Sequence, residues 1–166
     1  DTAGPFERVA TEAFYYVTLP EPDWSPEKIE GWLTKFDYAT MTGVSIHEAY
    51  PGHFVHFMQV PHAPTKLAKT FDTYSHYESW AHYCEEMMLE QGYGNGNLQL
   101  RLAQLGEALV RNCRYICAIK MHTQGMGVEE ATRFFMDNAY MDEVTATKEA
   151  RRGTHDPGYI NYTLGK

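Results

Sequence analysis

The apolar residues in the second half of the chain recur at the spacing of one helix face. Between Asn97 and Thr123, leucine and isoleucine return every three, four or seven residues. The positions are Leu98, Leu102, Leu105, Leu109, Ile116 and Ile119. Such spacing puts side chains on one side of an α-helix. It predicts a long helix from about Asn97 to about Thr123, after glycines 92, 94 and 96 end the preceding helix.

Other segments carry helix-start and helix-stop signals. Ser25 followed by Pro26 and Glu27 has the residues preferred at an N-cap, a first helical position and a first turn. A helical pattern then runs to about Tyr50, where Pro51-Gly52 interrupts it before a short helix over HFVHFMQ. Further helices are predicted at about 72–91, 128–141 and 142–152, followed by an HDPGY turn and a last helical segment.

One segment near the start predicts a strand. Residues Glu12 to Leu19 read EAFYYVTL, which is rich in aromatic and β-branched residues and is closed by Pro20. The fold class predicted from these patterns is mainly α, a bundle-like set of helices with one short N-terminal strand. The length of 166 residues suits a single domain over 1–166.

The composition and charge of the chain argue against two classes of protein, those that bind nucleic acids and those that span membranes. Hydrophobic residues make up 43% of the chain, which is enough for a core, and 14 Lys and Arg against 22 Asp and Glu give a net charge of −8. An acidic chain without a basic cluster argues against nucleic-acid binding, and no apolar run reaches the ~20 residues of a membrane span. Three cysteines without a CxxC pair predict small buried side chains.

The two ends of the sequence predict a fragment. The chain starts without Met and runs to Lys166 in a helical pattern with no stop signal. We therefore expect a C-terminal fragment of a longer chain, with the rest of that chain as a partner. Localisation stays open.

The densest chemistry lies at HEAYPGH, from His47 to His53. It begins like HExxH, in which two histidines one helical turn apart bind zinc and the Glu acts as the base. Here the second His comes six residues after the first, and on a regular helix six steps separate two side chains by ~120°. One metal therefore requires a break in the helix, and Pro51 and Gly52 are suited to make it.

A third metal ligand is predicted on the helix that follows. Glu78, His82 and Glu85 lie at positions i, i+4 and i+7, on one helix face. Aromatic and apolar residues surround them, which predicts partial burial; these are Tyr74, Tyr77, Trp80, Tyr83 and Met87. Buried carboxylates are costly unless they are paired or bind a metal, so Glu78 is the expected third ligand.

With HEAYPGH followed by ESWAHYCEE, the chain resembles the bacterial family catalogued as domain of unknown function 885. That family carries HExxPGH and a later EGWA-like helix, and it is similar to zinc peptidases of the gluzincin group. The segment from Arg152 to Gly165 resembles the C-terminal part of the family, so the likeness spans nearly the whole chain. Full family members are much longer than 166 residues.

The resemblance implies roles for individual residues. His47, His53 and Glu78 would hold Zn²⁺, and Glu48 would be the general base. Glu85 would support the ligands, and His82, which stands where an apolar residue is more usual, would be an additional supporting group or an alternative ligand. Ser79 replaces the usual Gly after the ligand Glu.

Further groups are needed around a substrate. An oxyanion donor besides zinc is expected, and the candidates are Tyr159, Tyr162 and His155. Arg152 or Arg151 could bind the terminal carboxylate of a peptide. By analogy with gluzincins, the predicted strand would pair with an extended substrate.

The function predicted is a zinc-dependent hydrolase of peptide bonds, an exopeptidase or oligopeptidase in which Glu48 activates a zinc-bound water. The alternative is a non-hydrolytic, zinc-containing module that keeps the peptidase fold and binds peptides. A dinuclear iron or manganese bundle is disfavoured, because it needs two ExxH pairs and the sequence has none.

Overall fold

The computed structural model describes residues 4, 6 and 13–166, and their regular structure is helical. The α-helices are α1 (Pro26–Lys35), α2 (Tyr38–Glu48), α3 (His53–Gln59), α4 (Lys66–Thr70), α5 (Tyr74–Glu90), α6 (Leu98–Thr123), α7 (Val128–Ala139), α8 (Glu143–Gly153) and α9 (Asn161–Leu164). Short 3₁₀ turns follow α3 at Val60–His62 and precede α9 at Pro157–Ile160. The mainly α prediction is confirmed. Within the described part, none of the helices has the length and apolar character needed to cross a membrane.

The chain folds into two compact units. The first consists of the described residues up to Asp72 together with Cys84–Gln104, and the second of Thr73–Tyr83 together with Leu105–Lys166. The chain passes from one unit to the other within α5 and within α6, so each of these helices contributes to both units. The prediction of a single domain over 1–166 stays a prediction.

The predicted strand over Glu12 to Leu19 is not formed where the structure describes it. Glu12 lies outside the described residues, and residues 13–19 have no regular structure. Strand-forming composition does not suffice, because a strand needs a neighbouring strand for its hydrogen bonds, and the other described elements are helices. The segment is attached to α1 instead, where the indole Nε1 of Trp32 donates to the carbonyl of Thr18 at 3.3 Å.

The helix predicted from Ser25 to Tyr50 is two helices. Ser25 caps α1 as predicted, since its Oγ accepts from the amide of Lys28 at 3.3 Å. Asp37 then begins α2, with its Oδ1 accepting from the amide of Thr40 at 2.7 Å. Asp is a preferred N-cap residue, so this second start was readable in the sequence.

The core of the second unit lies where α6, α7 and α8 meet. Its buried residues are Cys113, Cys117, Met126, Ala131, Phe135, Ala139, Ala146 and Ala150. Alanine supplies four of these side chains, all on α7 and α8, and small side chains let helices pack closely. Phe135 is fully buried and fills the remaining space.

The three cysteines are free and buried, as predicted. Burial raises the pKa of Cys84 and Cys113 to about 11 and that of Cys117 to about 12. At pH 8 we therefore expect slow labelling of all three thiols in the folded chain and fast labelling after denaturation, measured with a thiol-reactive chromophore. Fast labelling of one thiol per folded chain would contradict this burial.

The same shifts have a consequence for stability. A pKa that is raised on folding stabilises the folded chain at pH values below the ordinary thiol pKa of about 8.5. This contribution is lost as the pH rises from about 9 to about 11 or 12, through the folded-state values.

Candidate metal centre

The turn between α2 and α3 brings two histidines together. His47 lies in the last turn of α2, and His53 is the first residue of α3. Their ring centroids are 4.7 Å apart and the rings are nearly perpendicular, at 87°. A continuous helix would have pointed the two side chains ~120° apart, so the predicted break is confirmed.

Gly52 makes this turn tight. Its amide donates to the carbonyl of Ile46 at 3.0 Å, which folds the chain back over the end of α2, and the peptide bond between Tyr50 and Pro51 is cis. A Cβ on Gly52 would overlap the backbone carbonyl of His47. Only glycine fits this position without a backbone shift.

His47 is held by a carboxylate from α5. Its Nδ1 lies 2.7 Å from Oε1 of Glu85, and the two residues are 6% and 3% exposed. An imidazole Nδ1 at this distance from a carboxylate oxygen acts as the donor, and in a neutral ring this leaves the lone pair on Nε2. A histidine that binds a metal typically makes this kind of bond through its other ring nitrogen.

The predicted acidic face of α5 is buried. Glu78 is 7% exposed, His82 2% and Glu85 3%, so the burial expected from their aromatic surroundings is confirmed. Glu85 belongs to the first unit and Glu78 to the second, and both stand on the same face of one continuous helix. This face of α5 therefore places two carboxylates in surroundings of low dielectric constant, and one of them, Glu85, contacts His47.

Tyr162 stands out among the three predicted oxyanion donors. It is half-buried in the second unit, with its ring centroid 6.5 Å from that of Tyr74, which lies one helical turn before Glu78. The guanidinium carbons of Arg111 and Arg114 lie 5.4 and 5.5 Å from the Tyr162 ring centre. Burial, followed by the proximity of Tyr162 and Glu78, raises the pKa of Tyr74.

Tyr159 and His155 have different surroundings. Tyr159 is fully buried, and its hydroxyl has no hydrogen-bond partner among the described residues. A Cβ on Gly153 would overlap that hydroxyl, so the ring is packed against α8. Burial raises the pKa of Tyr159. His155 is exposed, just after the end of α8. These environments favour a packing role for Tyr159.

Arg152 already binds a carboxylate of the chain. Its Nε and Nη2 lie 2.9 and 2.8 Å from Oδ2 of Asp156, one helical turn later, while Arg151 is exposed. A substrate carboxylate at Arg152 would have to compete with Asp156.

Some residues of this region were missed in the sequence. Arg114, whose guanidinium lies beside the Tyr162 ring, makes two hydrogen bonds of 2.8 Å to Glu149. His56, which follows His53 by one turn of α3, lies 3.3 Å from Asp72. These pairs join residues far apart in the chain, and no local motif marks them. Tyr74 was named only as part of the aromatic surroundings, although its position one turn before Glu78 put it on the same helix face.

Comparison with known proteins identifies the family. The chain belongs to the family described as "Bacterial protein of unknown function (DUF885)", whose model matches residues 2–166. It is similar to the solved structure of a Shewanella oneidensis protein described as "a putative lipoprotein of unknown function", with a TM-score of 0.85 and 29% identity. The similarity covers 99% of this chain and 30% of that one, so the chain spans less than a third of its solved relative. A search of curated proteins finds no significant match.

The tight turn gives a testable prediction. We expect Gly52→Ala to destabilise the chain by about 1–3 kcal/mol, because the added methyl group has to displace backbone. The matched control is Gly43→Ala in the middle of α2, where a Cβ meets nothing within 4 Å and alanine stabilises a helix by about 0.5–1 kcal/mol. Urea denaturation measures both, and equal stability of the two variants would contradict the close contact at Gly52.

Proposed function

We propose that this chain is the catalytic part of a zinc-dependent hydrolase of peptide bonds, related to the gluzincin peptidases. The observation that carries the proposal is the buried hydrogen bond between His47 and Glu85 beside the ring of His53. Two histidines at a helix break, one of them oriented by a buried carboxylate, match the chemistry of a catalytic zinc site.

His47, His53 and Glu78 are the proposed ligands. Because Nδ1 of His47 is bonded to Glu85, Nε2 is the nitrogen that would bind zinc, and the ring of His53 lies beside the same imidazole. Glu78 lies seven residues before Glu85 on the same face of α5, about 10 Å along the helix axis. Three protein ligands leave one coordination position for water, as catalytic zinc requires. Glu85, which already contacts His47, serves as the supporting acid, and His82 lies between the two acids on the buried face.

Glu48 is the proposed general base. When bound, zinc lowers the pKa of its water and polarises the substrate carbonyl. Glu48 follows His47 directly at the end of α2 and is exposed, so its carboxylate is accessible to substrate. The carboxylate accepts a proton from the attacking water and passes it to the leaving amine, after which the Glu48 carboxylate is regenerated.

Tyr162 is the proposed oxyanion donor. Its half-buried ring lies near Tyr74 and beside the guanidinium groups of Arg111 and Arg114, the second of which is paired with Glu149. The Tyr162 hydroxyl can donate to the carbonyl oxygen as negative charge develops on it. Tyr159, whose hydroxyl is fully buried, and His155, which is exposed, have less suitable surroundings for this role.

Arg152 is the proposed group for a terminal carboxylate of the substrate. Asp156 holds the guanidinium through Nε and Nη2, so a substrate carboxylate would bind at the remaining Nη1 or displace Asp156. This would make the enzyme an exopeptidase or oligopeptidase acting near a free chain end.

The first prediction separates catalysis from metal binding. We expect Glu48→Gln to keep about one zinc per chain and to lower peptide turnover by about 100-fold or more, because the amide cannot accept the proton. Zinc is measured by mass spectrometry of metals, and turnover with a peptide library. His53→Ala and Glu78→Ala are the matched variants and should lose both zinc and turnover.

Other outcomes are equally informative. Zinc that survives Glu78→Ala would move the third ligand to His82 or Glu85. Zinc with peptide binding but without cleavage by the wild type would contradict hydrolysis and favour the peptide-binding module. No zinc in the folded wild type, even after zinc is added, would contradict the metal site.

The second prediction distinguishes the two tyrosines. Tyr162→Phe should lower kcat by about 100-fold with zinc content and KM little changed, as expected for a lost oxyanion donor. Tyr159→Phe should leave kcat within about twofold and should not reduce stability, since it removes a buried hydroxyl that has no hydrogen bond. A larger kcat loss in Tyr159→Phe than in Tyr162→Phe would contradict the assignment.

A further inference from the structure

Tyr74 lies at the start of α5, next to the tyrosine proposed as the oxyanion donor. It is the first residue of α5 and, like Tyr162, it belongs to the second unit. The ring centroids of the two tyrosines are 6.5 Å apart, the rings meet at 69°, and both side chains are half-buried. Tyr162 therefore has an aromatic neighbour to which the proposed hydrolysis gives no role.

The chain on both sides of Tyr162 packs against the start of α5. A Cβ on Gly158, in the 3₁₀ turn before α9, would lie 3.6 Å from Cε1 of Tyr74, which is van der Waals contact. A Cβ on Gly165, just after α9, would overlap the carbonyl of Ser75, the second residue of α5. These contacts set the position of Tyr162 relative to Tyr74.

The hydroxyl of Tyr162 interacts with Tyr74 and with Arg152. Burial is the largest cause of the raised pKa of Tyr74, followed by the proximity of Tyr162 and Glu78 and by a hydrogen-bond interaction with Tyr162. Burial alone would lower the pKa of Arg152, but hydrogen-bond interactions with Asp156 and Tyr162 help to raise it overall. A guanidinium only donates hydrogen bonds, so Tyr162 accepts from Arg152. Tyr74 is a neutral phenol at neutral pH and can also donate.

The direction of these hydrogen bonds decides whether Tyr162 can stabilise an oxyanion. An oxyanion donor has to direct its own proton at the atom on which negative charge develops. If Tyr74 donates to the Tyr162 oxygen in addition to Arg152, that oxygen accepts twice, and its proton has to point in a remaining direction. If Tyr162 donated to Tyr74 instead, this proton would be taken from the substrate.

We propose that Tyr74 is a positioning residue for Tyr162, whose hydroxyl it orients by donating a hydrogen bond to the Tyr162 oxygen. The Tyr162 proton is thereby directed at the substrate carbonyl, and Tyr74 itself does not touch the reacting atoms. The proposal rests on the hydrolase function proposed above. Because Tyr74 stands one helical turn before Glu78, it also connects the oxyanion donor with the helix turn that carries a proposed metal ligand.

The test begins with Tyr74→Phe, which removes the hydroxyl and keeps the ring. We expect kcat for peptide cleavage to fall by about tenfold, as is typical when a group that orients a site residue is lost, with KM and zinc content within about twofold of the wild type. Tyr83→Phe, at an exposed tyrosine of the same helix, is the matched control and should leave kcat unchanged. Urea denaturation checks that both variants are folded.

A double-mutant cycle distinguishes positioning from a structural effect. If Tyr74 acts through Tyr162, adding Tyr74→Phe to Tyr162→Phe should change kcat by less than about twofold, because the hydroxyl that Tyr74 orients is already absent. A purely structural effect would lower kcat by about the same factor in the wild type and in Tyr162→Phe.

Four results would overturn the proposal. Unchanged kcat in Tyr74→Phe would mean that the Tyr74 hydroxyl does not orient Tyr162, and a higher kcat would mean that it competes with the substrate for the Tyr162 proton. Equal losses in the two backgrounds would mean that Tyr74 acts independently of Tyr162. Loss of zinc in Tyr74→Phe would mean that it acts on Glu78.

Failure of the hydrolase function itself gives a different result. A wild type that cleaves no peptide, with zinc supplied, would contradict the hydrolysis and this role of Tyr74 together. An active wild type with any of the four results above would contradict only the role of Tyr74.

Discussion

The arrangement of the candidate metal centre depends on one buried hydrogen bond, between Nδ1 of His47 and Oε1 of Glu85. Both groups are almost inaccessible to water, and a carboxylate in such a place is tolerated only with a strong partner. Removing either partner would take this bond from the other while it stays buried, which costs more than the bond contributes. The bond therefore attaches the end of α2 to α5 and sets the orientation of the imidazole. Gly52 completes the arrangement, because its small size lets α3 begin close to the same imidazole.

The sequence was sufficient for most helices and for the break between the histidines, because both depend on local spacing. It failed at residues 13–19, where composition favours a strand but the described neighbours offer none to pair with. It also joined α1 to α2, although Asp37 carried a readable cap signal. These errors have the same origin. Local patterns report the preference of a segment, whereas its final conformation depends on partners that lie elsewhere in the chain.

Prediction of the candidate metal centre from local sequence patterns has the same limit. Spacing alone placed Glu78, His82 and Glu85 on one face, but which acid contacts His47 depends on how α2 packs in the first unit. Tyr159 and Tyr162 are three residues apart and were equivalent candidates in the sequence. Their environments differ because the 3₁₀ turn before α9 buries the first, while the second lies beside Tyr74 and two arginines.

α5 illustrates how identical residue types acquire different chemistry. Glu85 accepts a hydrogen bond from a histidine and is thereby committed to orienting it. Glu78, on the same face, has Tyr74 one turn before it. The proximity of Glu78 contributes to the raised pKa of the Tyr74 phenol. Glu48, at the end of α2, is exposed to solvent. A hydrolase of the proposed kind needs these three kinds of carboxylate: one that orients a ligand, one that binds the metal and one that carries a proton. In the proposed hydrolase, burial and hydrogen-bond partner, rather than residue type, would distinguish these three roles.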